Sequence, residues 1–213
     1  MDAEMADILP QAFDHNAIAF RSGGVIMRIR EAKVEDAERL AYVSYMSRRT
    51  TYAGLLPESL LEAVTMEERI QRWNNMLQER DTSRFCYVVE EIGGEIVGFA
   101  SGGPERDGDP IYRGELYTLY LLQEVHRQGI GRQLVMHVAQ RLLDLGFEAM
   151  LVHVLATNPA RGFYERLGGQ FLEEGVWEAG GNSYPDITYG WPDIRVLLSS
   201  SIAALETLPP DRV

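Results

Sequence analysis

Residues 124–134 read EVHRQGIGRQL, and the reading of this stretch decides the fold. Two glycines flank one isoleucine, with arginine and glutamine close by, just before a long amphipathic run. One reading is a turn that opens a helix. The other is a set of backbone N–H groups aimed at a phosphate. A strand ending at Leu122, a glycine-bearing loop and a helix starting near Gly129 make an anion site by geometry, because the first N–H groups of a helix lack internal partners and carry the positive end of its dipole. Gly129 and Gly131 leave room for a close approach, and Arg127 and Arg132 add charge. Taken alone, a G-x-G before a helix is more often a turn.

Working outward, ELYTLYLL before the loop is a strand, and Leu134, Val138, Leu142 and Leu145 after it recur at helical spacing until Gly146 stops them. MRIREA is a short alternating strand and DAERLAYVSYMSRR a helix with Ala37, Leu40, Ala41 and Ser44 on one face. LPESLLEAV is a short helix opened by Pro57. TMEERIQRWNNMLQER carries a Thr65–Glu68 capping box and a stripe of Ile70, Trp73 and Leu77. RFCYVVEEIGGEIVGFASGG reads as a hairpin about Gly93–Gly94. AMLVHVLA is a strand, PARGFYERLGG a short helix, and the segments around QFLEE and DITYGW are closing strands. The order predicts an α/β (α+β) domain, a mixed central sheet of about six to seven strands flanked by helices. Residues 1–26 carry four acids and one arginine with no sustained period and read as an acidic arm, either disordered or packed on a partner. The domain proper is expected over 27–192 and a weak helical tail over 193–213.

The chain has 213 residues, 46% hydrophobic and 24% charged, which is ordinary for a folded domain. A net charge of −12 argues against nonspecific binding to nucleic acid or an anionic membrane. The single cysteine, Cys86, permits no intrachain disulfide and fits a reduced compartment. The first residues carry acids where a signal peptide needs positive charge, and no apolar run approaches about 18 residues. A cytoplasmic, soluble protein is expected. A Walker loop needs Gly-Lys-Ser/Thr, whereas Arg132 and Gln133 follow Gly131; a dinucleotide fingerprint needs a third glycine where Leu134 stands. The four histidines and the pair Asp107, Asp109 lack metal-ligand spacing, so no metal is expected.

HRQGIGRQL after ELYTLYLL, followed one strand later by NPARGFYERLGG, resembles the GNAT superfamily of N-acetyltransferases. The family signature Q/R-x-x-G-x-G/A falls on His126, Gly129 and Gly131, with histidine in place of Gln or Arg. The resemblance spans roughly Met27 to Trp191 and is densest from Glu115 to Gly169. It implies acyl transfer from acetyl-CoA as co-substrate. The pyrophosphate would lie on the N–H groups of Arg127, Gln128, Gly129, Ile130, Gly131 and Arg132, with a further hydrogen bond from His126. Pantetheine would run beside the strand and bond the backbone of Leu119 and Leu121 as an added strand does. The family often has an asparagine where Thr157 stands; here the neighbouring Asn158 is the candidate contact.

Acetyl transfer asks for a base on the amine side, a proton donor near sulfur and N–H groups for the oxyanion. Tyr164 matches the family's donor tyrosine, and also contacts the co-substrate. Glu115 is the base candidate, working through a water from the start of the strand that carries the co-substrate. The period of two puts it on one face with Tyr117, Leu119 and Leu121. His153, in an apolar strand, is a rival that reads more readily as a core histidine. Tyr52 and Trp73 are candidates for the acceptor pocket, with core packing the favoured reading of Trp73. Small-molecule amines and peptide or protein amines both stay open as acceptors, and a homodimer is an expectation by analogy alone. The alternative from another class is a noncatalytic acyl-CoA-binding sensor or scaffold, which needs the loop but neither Glu115 nor Tyr164.

Overall fold

The central helix and the strands on either side of it form where the apolar periodicity demands in the computed structural model, which describes residues 18–22, 24–79 and 81–199. Eight strands build one sheet: β1 (Ile18–Ser22), β2 (Val25–Glu31), β3 (Phe85–Glu91), β4 (Ile96–Pro104), β5 (Gly114–Leu121), β6 (Met150–Leu155), β7 (Gln170–Ala179) and β8 (Asn182–Trp191). Their spatial order is β1-β2-β3-β4-β5-β6-β8-β7. All neighbours are antiparallel except β5 and β6. The helices are α1 (Ala37–Tyr52), α2 (Glu58–Leu61), α3 (Met66–Gln78), α4 (Ile130–Asp144) and α5 (Arg161–Arg166).

The mixed sheet flanked by helices agrees with the sequence reading, with one strand more than the count expected. That strand, β1, comes from the segment read as an arm: Ile18–Ser22 pairs with β2 in register Ser22↔Val25, and β2 itself starts before Met27. Residues 1–17 and 200–213 lie outside the described residues, so the rest of the arm and most of the tail do too. The start of the tail is anchored, with Ile194 and Leu197 buried in the main core.

Packing follows the periodicity. On α4, Leu134, Val138 and Leu142 are fully buried, each contributing roughly 1.5–3 kcal/mol by leaving water. Gly146, left-handed at φ 85°, ends that run. The Thr65–Glu68 capping box closes α3 reciprocally, at 2.9 and 3.2 Å. Trp73 meets Phe99 edge-on at 4.9 Å, so it packs α3 onto the sheet. Cys86 is buried in the core, where loss of solvation pushes its thiol far up.

One charged network ties β2, β3 and the turn before α1. Arg30 places two nitrogens on Asp36, at 2.7 and 3.0 Å, and its Nε on Glu90 at 2.8 Å, while Arg28 also holds Glu90. Burial alone would raise the Asp36 carboxyl; the Arg30 fork and the Lys33 N–H outweigh it and hold the group below its usual range. Stability from such a group is complete above its unfolded value of ~3.9 and lost as pH falls through the lower folded value. Asp36→Asn should therefore cost about 1.5–3 kcal/mol at neutral pH in urea unfolding, with the gap to wild type narrowing below pH ~4. A pH-independent gap would refute the linkage.

Candidate active site

The site begins where two strands part. β5 and β6 pair in parallel only at Gly114↔Met150 and Glu115↔Leu151. Beyond Glu115 they diverge, and the wedge between them is a cleft of about 620 Å³ lined by β5, the 124–134 loop, β6 and α5. The Leu122 N–H donates to the Val97 carbonyl of β4 at 2.9 Å. By alternation, the backbone groups of Leu121 and Leu119 turn to the opposite, open edge. The Leu121 carbonyl confirms this, accepting from the Ser47 hydroxyl at 2.9 Å and lying 3.0 Å from His126 Nε2. Leu119 thus presents the free backbone of that edge, and His126 sits at its end.

A β-bulge resets the strand. The register steps from Ser101↔Thr118 to Gly102↔Leu116, so Tyr117 is the extra residue. Pairing then places Glu115 with Thr118 and Tyr120 on the α1/α3 face, and Leu116, Leu119 and Leu121 on the α4 face. This corrects the period-two expectation that Glu115 shares a face with Leu119 and Leu121. The Tyr117 hydroxyl donates to the Pro104 carbonyl at 2.5 Å, and the Arg106 guanidinium lies over its ring at 4.7 Å.

The loop has the geometry of an anion cradle. Arg127 is left-handed at φ 60°, the one non-glycine residue of positive φ among the described residues, and Gly129 follows at φ 81° as the N-cap of α4. Two left-handed residues around Gln128 turn successive N–H groups to a common concave side. No side chain caps α4, and its ladder starts with Gln133 N–H to the Gly129 carbonyl at 3.2 Å, so the N–H groups of Ile130, Gly131 and Arg132 precede it. His126, Arg127, Gly129, Ile130, Gly131 and Arg132 all line the cleft. Gln128 does not: its amide donates to the Glu124 carbonyl at 3.1 Å.

Across the cleft stands Tyr164, buried, with its ring near Phe163, Tyr189 and Trp191. Its helix is pinned to β8: the Tyr189 hydroxyl donates to Glu165 at 2.6 Å and accepts from Arg161 at 3.2 Å. Trp191 Nε1 donates to the Leu167 carbonyl at 3.0 Å, a closeness that Gly169 permits, since a Cβ there would lie 2.8 Å from the indole. Burial, with Tyr52 and Tyr120 nearby, pushes the Tyr164 hydroxyl well above its ordinary value. Burial likewise lifts Tyr52, to about 12. Asn158 also lines the cleft, but its amide is engaged. Oδ1 accepts from the Ala160 N–H at 2.8 Å and Nδ2 donates to the Tyr52 hydroxyl at 3.1 Å.

A second cavity of about 340 Å³ adjoins the first and shares Tyr52, Tyr120 and His153 with it. Glu115 lines it, 1% exposed, with Arg106 on both carboxylate oxygens; Nε to Oε2 spans 2.9 Å. His153 stands on the wall between the cavities, Nδ1 3.0 Å from the Thr188 hydroxyl and Nε2 buried with no partner. The sequence weighed it against a core role; the parting of β6 from β5 is what exposes it. Metal-ligating atom types of Glu105, Asp107 and His153 come within 4.8 Å of one another, a grouping the Asp107, Asp109 spacing did not suggest. The Glu105 carboxylate accepts from the N–H groups of Asp107, Gly108 and Asp109, at 2.6, 2.6 and 2.7 Å.

Residues 49–169, which hold the loop, the parted strands and Tyr164, match the model of the acetyltransferase (GNAT) family. The chain belongs to that family. It is an acyltransferase. A relative 36% identical over 172 residues, covering 81% of this chain and 96% of its own, is the uncharacterized N-acetyltransferase YuaI of Bacillus subtilis (strain 168). A phosphinothricin N-acetyltransferase of Streptomyces viridochromogenes is 26% identical over 125 residues, 58% of this chain and 64% of its own. The fold is shared with the PaiA N-acetyltransferase of Thermoplasma acidophilum, solved with coenzyme A, at a TM-score of 0.60, 20% identity and coverage of 78% of this chain and 99% of that one. It is shared equally with YncA of Salmonella typhimurium, solved with acetyl-CoA, at 0.60, 19% identity and coverage of 78% and 92%. No helix among the described residues is long and apolar enough to cross a membrane.

The two loop glycines should behave oppositely without ligand. Gly129→Ala puts a Cβ into a left-handed backbone and should cost about 1–2 kcal/mol in urea unfolding. Gly131 is helical, and an added Cβ meets only ordinary contacts of 3.4 Å and beyond with Phe163 and Leu121. Gly131→Ala should hold or gain up to ~1 kcal/mol. Equal losses would overturn this backbone account.

Proposed function

We propose that the protein transfers the acetyl group of acetyl-CoA to a primary amine by direct attack. The observation that carries this reading is the juxtaposition of the left-handed anion loop, the free edge of β5 at Leu119 and the buried Tyr164 hydroxyl around one cleft. The backbone from Arg127 to Arg132 binds the pyrophosphate, and the pantetheine arm lies along the edge of β5. The thioester then points toward Tyr164 and the second cavity, which receives the acceptor. That two structural neighbours were solved with coenzyme A or acetyl-CoA supports this assignment.

The amine arrives protonated and must lose a proton before it attacks the thioester carbon. Glu115 is the base, reached through a water. Arg106 occupies two of the roughly four lone-pair sites of its carboxylate and holds the other side toward the cavity. Nitrogen bonds to the carbonyl carbon, the carbon–sulfur bond breaks, and the departing thiolate takes the Tyr164 proton. Burial keeps Tyr164 protonated, so its O–H is present to hydrogen-bond the departing sulfur and it takes no part as base. No metal takes part, and the reaction asks for neither nucleic acid nor membrane. Acetyl-CoA chemistry fits a cytoplasmic setting.

Calorimetric titration with acetyl-CoA tests the first half. Binding should weaken at least about tenfold in Gly131→Ala, whose apo stability is intact, because the Cβ blocks the ligand rather than the fold. On an accepted amine, Tyr164→Phe and Glu115→Gln should each lower kcat by roughly 10²-fold or more with the acetyl-CoA Kd held. The wild-type rate should rise with pH and stay level past pH ~10, where a tyrosine of ordinary pKa would begin to ionise. Wild-type kcat in Tyr164→Phe would remove the donor, and a falling limb at pH ~10 absent from Tyr164→Phe would contradict its raised value.

A further inference from the structure

Of the charged groups around the second cavity, Arg106 and Glu115 satisfy each other. Arg48, on α1, is left over. It lines this cavity and not the larger cleft, makes no hydrogen bond or ion pair among the described residues, and has its Nε buried without a partner. Its own side of the fold cannot neutralise it. The nearby acids Glu58 and Glu62 are committed to Arg49, at 3.3 and 3.2 Å. The neighbouring Arg69 adds positive charge; its Nε is also buried and unpartnered, and burial first, then Arg48, lowers its basicity. Elsewhere Arg28 and Arg30 on β2 are paired with Glu90, and Arg39 on α1 with Glu95. With 32 acids against 20 lysines and arginines, an uncompensated guanidinium is not for want of acids.

The lining of the same cavity also carries the complementary charge. Asp186 has one oxygen 3.9 Å from His153 Nδ1 and the other packed over Gly175 without a hydrogen bond. Tyr52, Leu56 and Trp177 supply apolar walls. A volume of about 340 Å³ suits a small molecule. A half-buried, unpaired arginine, two acids, an imidazole and apolar walls around one small cavity make up the complement of a zwitterion.

We propose that the acceptor is a small amino acid whose free carboxylate is bound by Arg48 while its amine lies toward Glu115 and His153. This assignment rests on the acetyl-transfer reading above and adds the acceptor class to it. Arginine suits the task because its planar fork binds a carboxylate through two parallel hydrogen bonds, and burial strengthens each of them. The carboxylate also fixes which way the amine points, so the same contact contributes to both binding and orientation.

The test reads initial rates of CoA release with leucine and phenylalanine, each beside the amine lacking its carboxylate, isopentylamine and phenethylamine. Leucinamide, with its carboxyl blocked as in a peptide, stands in for a peptide N-terminus. Wild type should favour each acid over its amine, and leucine over leucinamide, by about 10- to 100-fold in kcat/KM. Arg48→Met should bring these ratios to near one, and Arg48→Lys should keep part of them. Acetyl-CoA binding, measured on every variant, checks folding and the first site. Equal or better use of the amines by wild type, or of leucinamide, overturns the proposal. So does a preference that survives in Arg48→Met. Wild type that binds acetyl-CoA, yet neither acetylates the two acids nor binds them when saturated with CoA, overturns the acceptor assignment and leaves the acetyl-transfer reading standing. Failure of wild type to bind acetyl-CoA overturns that parent reading instead.

Discussion

Two residues of parallel pairing, and then none, are the constraint on which the site depends. A sheet that opens leaves N–H and C=O groups without partners, and a buried group in that state costs as much as a lost hydrogen bond. The fold limits the cost in two ways. Ser47 and His126 both reach the Leu121 carbonyl, so that group is satisfied by side chains. The groups of Leu119 face a cleft wide enough for water. Tyr117 completes the arrangement. Its bulge swings the start of β5 so that Glu115 addresses the α1/α3 face, while the leucines beyond it address α4.

The loop that answers this opening is strained where it is useful. Holding Arg127 left-handed costs roughly 1–2 kcal/mol, while Gly129 takes the same conformation freely. The return is a concave row of N–H groups with two arginine side chains beside it, in a protein whose net charge is −12. An acidic molecule can hold an anion only where its positive groups are gathered locally, and Arg127, Arg132 and Arg166 are gathered on the cleft. The opposite arm of the wedge is rigid for a different reason. α5 is only six residues long, and Tyr189 and Trp191 on β8 hold it in place, so the position of Tyr164 is set by the sheet rather than by its own helix.

Much of this was legible in the chain itself. Helical spacing found the buried face of α4, the Thr65–Glu68 box found the start of α3, and Gly93–Gly94 found the hairpin. The loop and its lining residues followed from glycine spacing with a family resemblance, because backbone geometry there is nearly all the chemistry. What escaped was set by register. A bulge has no composition of its own, so the alternation through Tyr117 put Glu115 on the other face from the one it occupies. His153 reads as core in an apolar strand, and only the parting of β6 from β5 gives it two cavities to border. Asn158 lines the cleft where a ligand contact is expected of it, and its Tyr52 partner, 106 positions away, is invisible to local pattern. β1 pairs along the edge of β2, and a short edge strand in an acidic segment carries little periodic signal.

Cys86 has a practical meaning beyond packing. It is the only cysteine of the chain, buried at 2% exposure, and its thiol is held protonated by the core around it. Thiol reagents attack the thiolate, so the native protein is silent toward them. A disulfide reagent added to a reaction mixture would register the free CoA thiol that the proposed transfer releases, one colour equivalent per turnover, with no background from the native protein. Added to the protein alone, the same reagent would colour only molecules whose β3 had come away from the sheet. One buried sulfur thus lets a single dye serve as a turnover counter and as an unfolding clock.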